Sequence, residues 1–220
     1  NYAALLNERR EYEDAIEFLT RFVDTYGWSE SVRDIYGILH YNQVVTLIRA
    51  DAFTEAIDTM NELEAPGWIK ADVLRDLRTQ VAERILAKEL PVLTSDEGFQ
   101  LLGGLRDDGL LSPERYIDFA VMLVSTEADA LASDGEYLAA AAIIENAMQT
   151  LGQDRRLEKA WAAYRYNFAV DAHNAFAQAF NEGRYDEAKA LLEEASKKVP
   201  DSDLLRRDMM LLEKQLSGAD

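Results

Sequence analysis

The chain has 220 residues, of which 41 are acidic and 23 are basic, so its formal net charge is −18. Binding to nucleic acid or to anionic membranes requires clustered Lys and Arg, and an acidic surface repels both. We therefore expect no nucleic acid partner and a neutral or basic protein or peptide partner instead. Cysteine is absent, which excludes disulfides, thiolate metal sites and catalytic thiols. No apolar run approaches the roughly 20 residues of a transmembrane helix, so we expect no membrane insertion.

Helical periodicity and turn residues predict an all-α fold of five antiparallel helical hairpins and a closing helix. We find no sustained alternation of the kind that indicates a strand, and no linker that divides the chain, so we expect one domain over 1–220. The predicted helices cover 2–9 and 12–26, 32–50 and 53–64, 71–90 and 94–105, 113–132 and 136–151, 154–181 and 185–198, and finally 204–216.

Local signals place several of these boundaries. Pro66-Gly67 predicts a turn, and Pro91 disfavours helical geometry at the residue before it. Thr94 and Glu97 have the spacing of a capping box, and Ser112-Pro113 is typical of a helix start. Near the C-terminus, from about residue 201, an apolar stripe predicts a helix that covers the end of the structure. Its members are Leu205, Met209, Leu212 and Leu216.

One short motif recurs four times, each time as an aromatic residue followed three positions later by alanine. Its positions are Tyr12 and Ala15, Phe53 and Ala56, Tyr137 and Ala140, and Tyr185 and Ala188. Recurrence of one helical unit is the mark of a stacked repeat protein. A small residue allows two helices to approach closely, so we expect Ala140 and Ala188 to be buried at helix contacts.

The C-terminal copy resembles the tetratricopeptide repeat (TPR), in which glycine ends the first helix of a hairpin and proline follows the second. The matching residues are Gly183, Tyr185, Ala188, Leu192, Ala195 and Pro200, and a second set is Gly135, Tyr137, Ala140, Ile144 and Ala147. The interval from Tyr12 to Phe53 is 41 residues and from Tyr137 to Tyr185 is 48, against about 34 in the family. Both a TPR-like right-handed superhelix and a compact bundle of hairpins remain open.

The resemblance also implies a binding face. In TPR domains the first helices of the hairpins line the concave surface, and an asparagine there commonly binds the ligand. Counting back from the aromatic residues places Asn42, Lys88 and Asn174 at this position. Their neighbours Tyr41 and His173, and Arg84 one turn before Lys88, complete the six candidates. Amide, ammonium and guanidinium groups together can hold a carboxylate. The alternative is that the asparagines form hydrogen bonds between neighbouring helices.

The sequence offers no recognisable catalytic or cofactor motif. The two histidines, His40 and His173, lie outside any HExxH or ExxH arrangement. Asp107-Asp108-Gly109 lacks the alternating ligands of a calcium loop and is interpreted as a solvated turn. We therefore expect no metal, no cofactor and no enzymatic activity.

Aromatic residues suggest two further features. A stripe at helical spacing is interpreted as core rather than as a cofactor pocket, and it comprises Trp161, Tyr164, Phe168, Phe176 and Phe180. Trp28 and Trp68 lie in predicted turns, where they either cap a hairpin or mark a contact patch; capping is preferred.

Taken together, these patterns predict a protein–protein interaction scaffold that binds its partner on the first helices of the hairpins. An accessory solute-binding protein with a ligand between long helices is the alternative, and an all-α enzyme is a third. A deep pocket would favour the solute and an open groove the peptide. The cytoplasm is the default location, and a signal or lipid-anchor segment removed before Asn1 would change it.

Overall fold

The computed structural model describes residues 2–64 and 67–218, and this part of the chain is all-α, with no strand. It contains eleven α-helices and one 3-10 turn, at Leu90–Val92. The helices are α1 (Tyr2–Arg9), α2 (Tyr12–Tyr26), α3 (Glu30–Arg49), α4 (Phe53–Glu64), α5 (Ala71–Glu89), α6 (Ser95–Asp107), α7 (Pro113–Ser133), α8 (Tyr137–Leu151), α9 (Arg155–Asn181), α10 (Tyr185–Lys198) and α11 (Asp203–Ser217). Pro66, where a turn is predicted, lies outside the described residues.

The predicted start signals act as expected. The backbone N–H of Thr94 donates to Glu97 Oε2 at 2.9 Å, and the Glu97 N–H donates to Thr94 Oγ1 at 3.4 Å, which confirms the capping box. Ser112 Oγ accepts from the N–H of Arg115 at 3.2 Å. At Pro91 the chain leaves α5 and forms the 3-10 turn. These side chains satisfy backbone donors that a helix start leaves without an intrahelical partner.

The chain forms two compact units, Asn1–Tyr116 (unit 1) and Ile117–Asp220 (unit 2). In unit 1, consecutive helices pack from α1 to α5, and α3 also packs directly on α5. In unit 2, α9 packs on α8, α10 and α11, and α10 packs on α11. A single domain over 1–220 stays a prediction.

Each unit has an apolar core built mainly from residues at helical spacing. In unit 1, one cluster joins α1, α2 and α3, and a second joins α3, α4 and α5. The first contains Ala3, Leu6, Ala15, Leu19 and Leu39, and the second contains Val44, Ile48, Ala56, Met60, Leu63, Ile69, Leu74, Leu77 and Val81. In unit 2 a cluster joins α9, α10 and α11, with Phe176, Ala188, Leu192, Leu205 and Leu212 at its centre.

The turns before α2, α4, α8 and α10 share one backbone geometry. In each, the residue two positions before the aromatic has a positive φ: Arg10 at 62°, Asp51 at 57°, Gly135 at 82° and Gly183 at 75°. The next residue donates its N–H to a carbonyl five positions earlier, as in Glu11 to Leu6 and Arg184 to Ala179. This is the hydrogen bond of a Schellman helix end.

The alanine of the repeated motif is fully buried in all four copies, at Ala15, Ala56, Ala140 and Ala188. The predictions for Ala140 and Ala188 are thus confirmed. In α11, Leu205 and Leu212 are buried, but Leu216 is 54 % exposed. The preceding residue, Gln215, hydrogen-bonds the hydroxyl of Tyr185 at the first turn of α10, so Leu216 lies beyond the end of the α9–α10 hairpin.

Candidate functional site

A groove of about 1010 Å³ lies in unit 1 between α3 and α5. Residues three or four apart on α3 form one wall, and a similar series on α5 forms the other, because such residues share one helix face. Ile38, Tyr41, Val73 and Leu77 supply apolar lining, and the segment 67–70 closes one end with Trp68. Ile38 is 54 % exposed and Tyr41 is 39 % exposed. The groove is therefore an accessible apolar surface between two helices.

Gly37 determines how closely the segment 67–70 approaches α3. A Cβ atom at this position would lie 2.5 Å from the carbonyl oxygen of Trp68, much closer than atoms in van der Waals contact. Glycine inside a helix costs roughly 0.5–1 kcal/mol relative to alanine. The sequence analysis did not identify this residue, although a glycine inside a predicted helix is a signal of close backbone approach.

An aromatic cluster stands beside the groove. The rings of Trp28 and Trp68 lie 4.1 Å apart, and Tyr36 lies 5.3 Å from Trp28 and 5.1 Å from Trp68. The His40 ring is 4.5 Å from Tyr36. The two tryptophans of the turns thus pack on each other and on α3, as expected of residues that cap hairpins. Trp28 remains 38 % exposed, so the alternative that it marks a contact patch stays a prediction.

His40 has an unusual environment. Both of its ring nitrogens, and Oε1 of Gln43, are buried without a hydrogen-bond partner among the described residues. Burial lowers the pKa of His40, because the imidazolium form loses hydration. The nearby Gln43 side chain raises this pKa, but its effect is smaller than that of burial. The neutral imidazole is therefore the form that this aromatic environment favours.

Charged residues of both signs border the groove: Glu30, Arg33, Asp34, Lys70 and Asp76. Within 2–64 and 67–218, none of them takes part in an ion pair. Their charges are thus directed to solvent rather than neutralised by a neighbour. A bound chain could pair with either sign at this rim.

Of the six predicted site residues, only Tyr41 lines this groove. Asn42, the next residue, is half-buried and donates from Nδ2 to Oδ1 of Asn7 on α1, at 2.9 Å. Arg84 forms an ion pair with Asp51 at 3.0 Å, and Lys88 is exposed on α5. The bond between Asn42 and Asn7 is the helix-to-helix contact that the alternative interpretation of the asparagines predicts.

The other two candidates lie on α9 in unit 2. His173 Nδ1 is 2.8 Å from Oδ2 of Asp208 on α11, and Asp208 is only 6 % exposed. Asn174 is exposed, and its side chain makes no hydrogen bond within the described parts of the chain. That Asn42 and Asn174 lie on one binding face stays a prediction.

Three polar pairs have the same separation in sequence. Asn7 with Asn42, Asp129 with Tyr164, and His173 with Asp208 are each 35 residues apart. They join α1 to α3 and α7 to α9, which are first helices of successive hairpins, and they join α9 to the closing helix α11. Burial, together with the hydrogen bond to Asp129, raises the pKa of Tyr164 to about 12. These pairs hold neighbouring helices in register.

No protein-family model matches this sequence, and no characterised protein has a significantly similar one. Among the residues that the structure describes, no three His, Asp or Glu side chains form a group that could hold a metal ion. No helix in those ranges has the length and apolarity needed to cross a membrane.

Proposed function

We propose that this protein is an interaction module that binds an extended segment of a partner protein in the groove between α3 and α5. The observation that carries the proposal is the exposed apolar surface of Ile38 and Tyr41, placed beside Trp68. Exposed apolar residues within a polar rim are typical of binding surfaces. Aromatic residues at such sites provide large contact area at low conformational cost.

The shape of the groove favours a peptide over a small solute. Its volume of about 1010 Å³ is at the upper limit of pockets that bury a drug-sized ligand, roughly 300–1,000 Å³. Two helices form its walls, so the surface extends along their axes. An extended or helical segment with spaced apolar side chains fits such a surface.

The rim supports a neutral or basic partner. Three of its charged residues are acidic, Glu30, Asp34 and Asp76, and two are basic, Arg33 and Lys70. The whole chain carries a net charge of −18. A basic segment is therefore attracted at long range, which raises the association rate at low salt.

The repeated turns and the 35-residue polar pairs support a TPR-like repeat module. The same helix end with a positive φ precedes all four buried alanines. The interval of 35 residues between the paired side chains is close to the family's repeat of about 34. Repeat scaffolds of this kind present the first helices of the hairpins as a binding face, to which α3 and α5 belong.

A peptide-display selection on the immobilised 220-residue chain tests this function. We expect enrichment of peptides with spaced apolar residues and a neutral or positive charge. Binding of the selected peptides should weaken at least about tenfold in Tyr41→Ala, the loss expected for an interface aromatic. Tyr166→Ala is the matched control, because Tyr166 is an exposed tyrosine of unit 2.

Two outcomes would contradict the proposal. One is that no peptide is enriched over an unrelated acidic protein. The other is that selected peptides bind Tyr41→Ala and Ile38→Asp as tightly as the parent, with both variants folded by circular dichroism. Enrichment of acidic peptides would overturn the neutral or basic partner class while leaving the groove as the site.

A further inference from the structure

The outer side of the first hairpin carries a second exposed apolar surface, distinct from the groove. We define the N-terminal face as Tyr2 and Leu5 on α1 and Phe18, Phe22 and Tyr26 on α2. The α2 residues are four apart, so they form one stripe along the helix. Their exposed fractions are 56 % for Tyr2, 42 % for Leu5, 39 % for Phe18, 37 % for Phe22 and 75 % for Tyr26.

The rings of this face are packed against one another. Tyr2 and Phe18 make an edge-to-face contact across the two helices, with centroids 5.0 Å apart. Phe22 and Tyr26 lie 4.8 Å apart on α2. Aromatic pairs at these distances attract beyond their buried area. The face is therefore already ordered before any partner arrives.

Helix α2 has one wide apolar face, and the described structure covers only part of it. Ala15 and Leu19 are buried with Leu39 of α3 in the unit 1 core. Phe18, Phe22 and Tyr26 lie along the edge of the same face, next to these buried residues, and remain 37–75 % exposed.

The area of the N-terminal face matches what a dimer needs. An aromatic side chain contributes about 150–250 Å² when fully buried. The exposed surface of the four aromatic residues and Leu5 therefore amounts to about 450 Å². Two such faces in contact bury roughly 900 Å² of apolar surface. A standard interface buries about 1,600 Å² in total, of which somewhat more than half is apolar.

We propose that the N-terminal face is the contact surface of a homodimer, in which it packs on the same face of a second copy. A two-fold contact requires a self-complementary patch, and aromatic rings satisfy this by packing on rings. The adjacent charges Glu17 and Arg21 are already paired with each other. Asp14, one turn before Phe18, adds a negative charge beside the stripe, so some repulsion between two copies is left for salt to screen. This inference is independent of the function proposed for the groove.

Salt should strengthen the dimer. Each copy carries a net charge of −18, and repulsion between two copies is screened as ionic strength rises. Salt screening does not weaken apolar contacts. The dissociation constant should therefore decrease between low and physiological salt, which is opposite to the behaviour of an interface built on ion pairs.

Sedimentation-equilibrium measurements on the 220-residue chain test the proposal. We expect a dimer whose dissociation constant rises at least tenfold in the double variant Tyr2→Ser/Tyr26→Ser. Met122→Ser/Tyr166→Ser is the matched control, since both positions are exposed in unit 2. A parent that is monomeric at every concentration, or a double variant that dimerises like the parent, overturns the proposal.

A second experiment does not depend on the stability of that double variant. The chain has no cysteine, so Tyr26→Cys and Tyr166→Cys each introduce a single thiol. A short bis-maleimide should link Tyr26→Cys into covalent dimers and leave Tyr166→Cys largely unlinked. Equal linking of the two variants would contradict a dimer formed through the N-terminal face.

Discussion

The two units use aromatic residues in opposite ways. In unit 2, Tyr164 and Phe176 are buried on α9, and Phe168 and Phe180 pack on the same core. In unit 1, the aromatic side chains of Tyr2, Tyr26, Tyr41 and others are substantially exposed. The secondary structure is of one kind in both units, yet among the described residues only unit 2 has aromatic side chains that are buried in the core.

The difference follows from how each core is filled. The unit 1 core is built mainly from aliphatic and Met side chains, such as Leu39, Met60 and Leu77, which are almost fully buried. Its aromatic residues Tyr12, Tyr36, Phe53 and Trp68 pack against this core but are only partly buried. Unit 2 relies on the ring of Phe176 between α9, α10 and α11. We propose that the exposed aromatic surface of unit 1 serves binding.

The largest expected effect comes from removing a buried ring in unit 2. Phe176→Ala should destabilise by about 3–5 kcal/mol, because it removes apolar contacts and leaves a cavity. Tyr26→Ala in unit 1, where the side chain is 75 % exposed, should change stability by only about 0.5 kcal/mol. Urea denaturation of dilute protein measures both. Similar losses for the two variants would break the comparison between the units.

The motif alanines should respond alike in both units. Ala188→Leu and Ala15→Leu each add volume at a fully buried position, and overpacking costs about 1–3 kcal/mol. Thermal unfolding followed by circular dichroism measures the loss. Ala190→Leu, at an exposed position of the same helix α10, is the control and should be neutral. An unchanged melting temperature in Ala188→Leu would show that close helix approach is not required there.

The turns before α2 and α10 should respond in opposite directions. Gly183 and Arg10 both have a left-handed backbone, with φ of 75° and 62°. This conformation costs a residue with a Cβ about 1–2 kcal/mol. Gly183→Ala should therefore destabilise by about that amount. Arg10→Gly should stabilise the protein by roughly 0.5–1 kcal/mol, because glycine removes the strain of the left-handed backbone. The gain is smaller than that strain, since glycine is more flexible in the unfolded chain. Chemical denaturation of both variants checks the signs, and a loss of stability in Arg10→Gly would contradict this interpretation.

The smallest expected effect is a pH dependence from His40. Burial lowers its pKa in the folded protein below the ordinary 6.5, so the unfolded chain binds the proton at a higher pH. This contribution to stability is fully present above about pH 6.5 and is lost as the pH falls below that value towards the lower pKa of the folded protein. The parent should lose stability as the pH falls below about 6.5, and His40→Phe should reduce the slope. Identical slopes in denaturation experiments would exclude His40 as a source.

Most of the fold could be predicted from the sequence, because its boundaries depend on local chemistry. Glycine, proline and capping residues locate a helix boundary to within a few positions, as Gly183 and Thr94 do. The positive φ at Arg10 and Asp51 could not be predicted in this way. Neither residue prefers that conformation as glycine does, and the repeated turn imposes it.

The candidate site was less predictable, because its geometry depends on contacts between distant residues. Tyr41 was placed on a binding face by repeat register, and it does line the groove. The contact of Gly37 with Trp68 joins residues 31 positions apart, from 37 to 68, and no local pattern encodes it. The bond between Asn42 and Asn7 likewise depends on how α1 packs on α3.

The constant interval of the three polar pairs limits how this chain can change in length. Asn7 and Asn42, like His173 and Asp208, meet only while 35 positions separate them. Deleting or adding one residue between such partners rotates one helix face by about 100° relative to the other, at 3.6 residues per turn. A change of length in a turn should therefore disturb these pairings less than the loss or gain of one residue inside a helix.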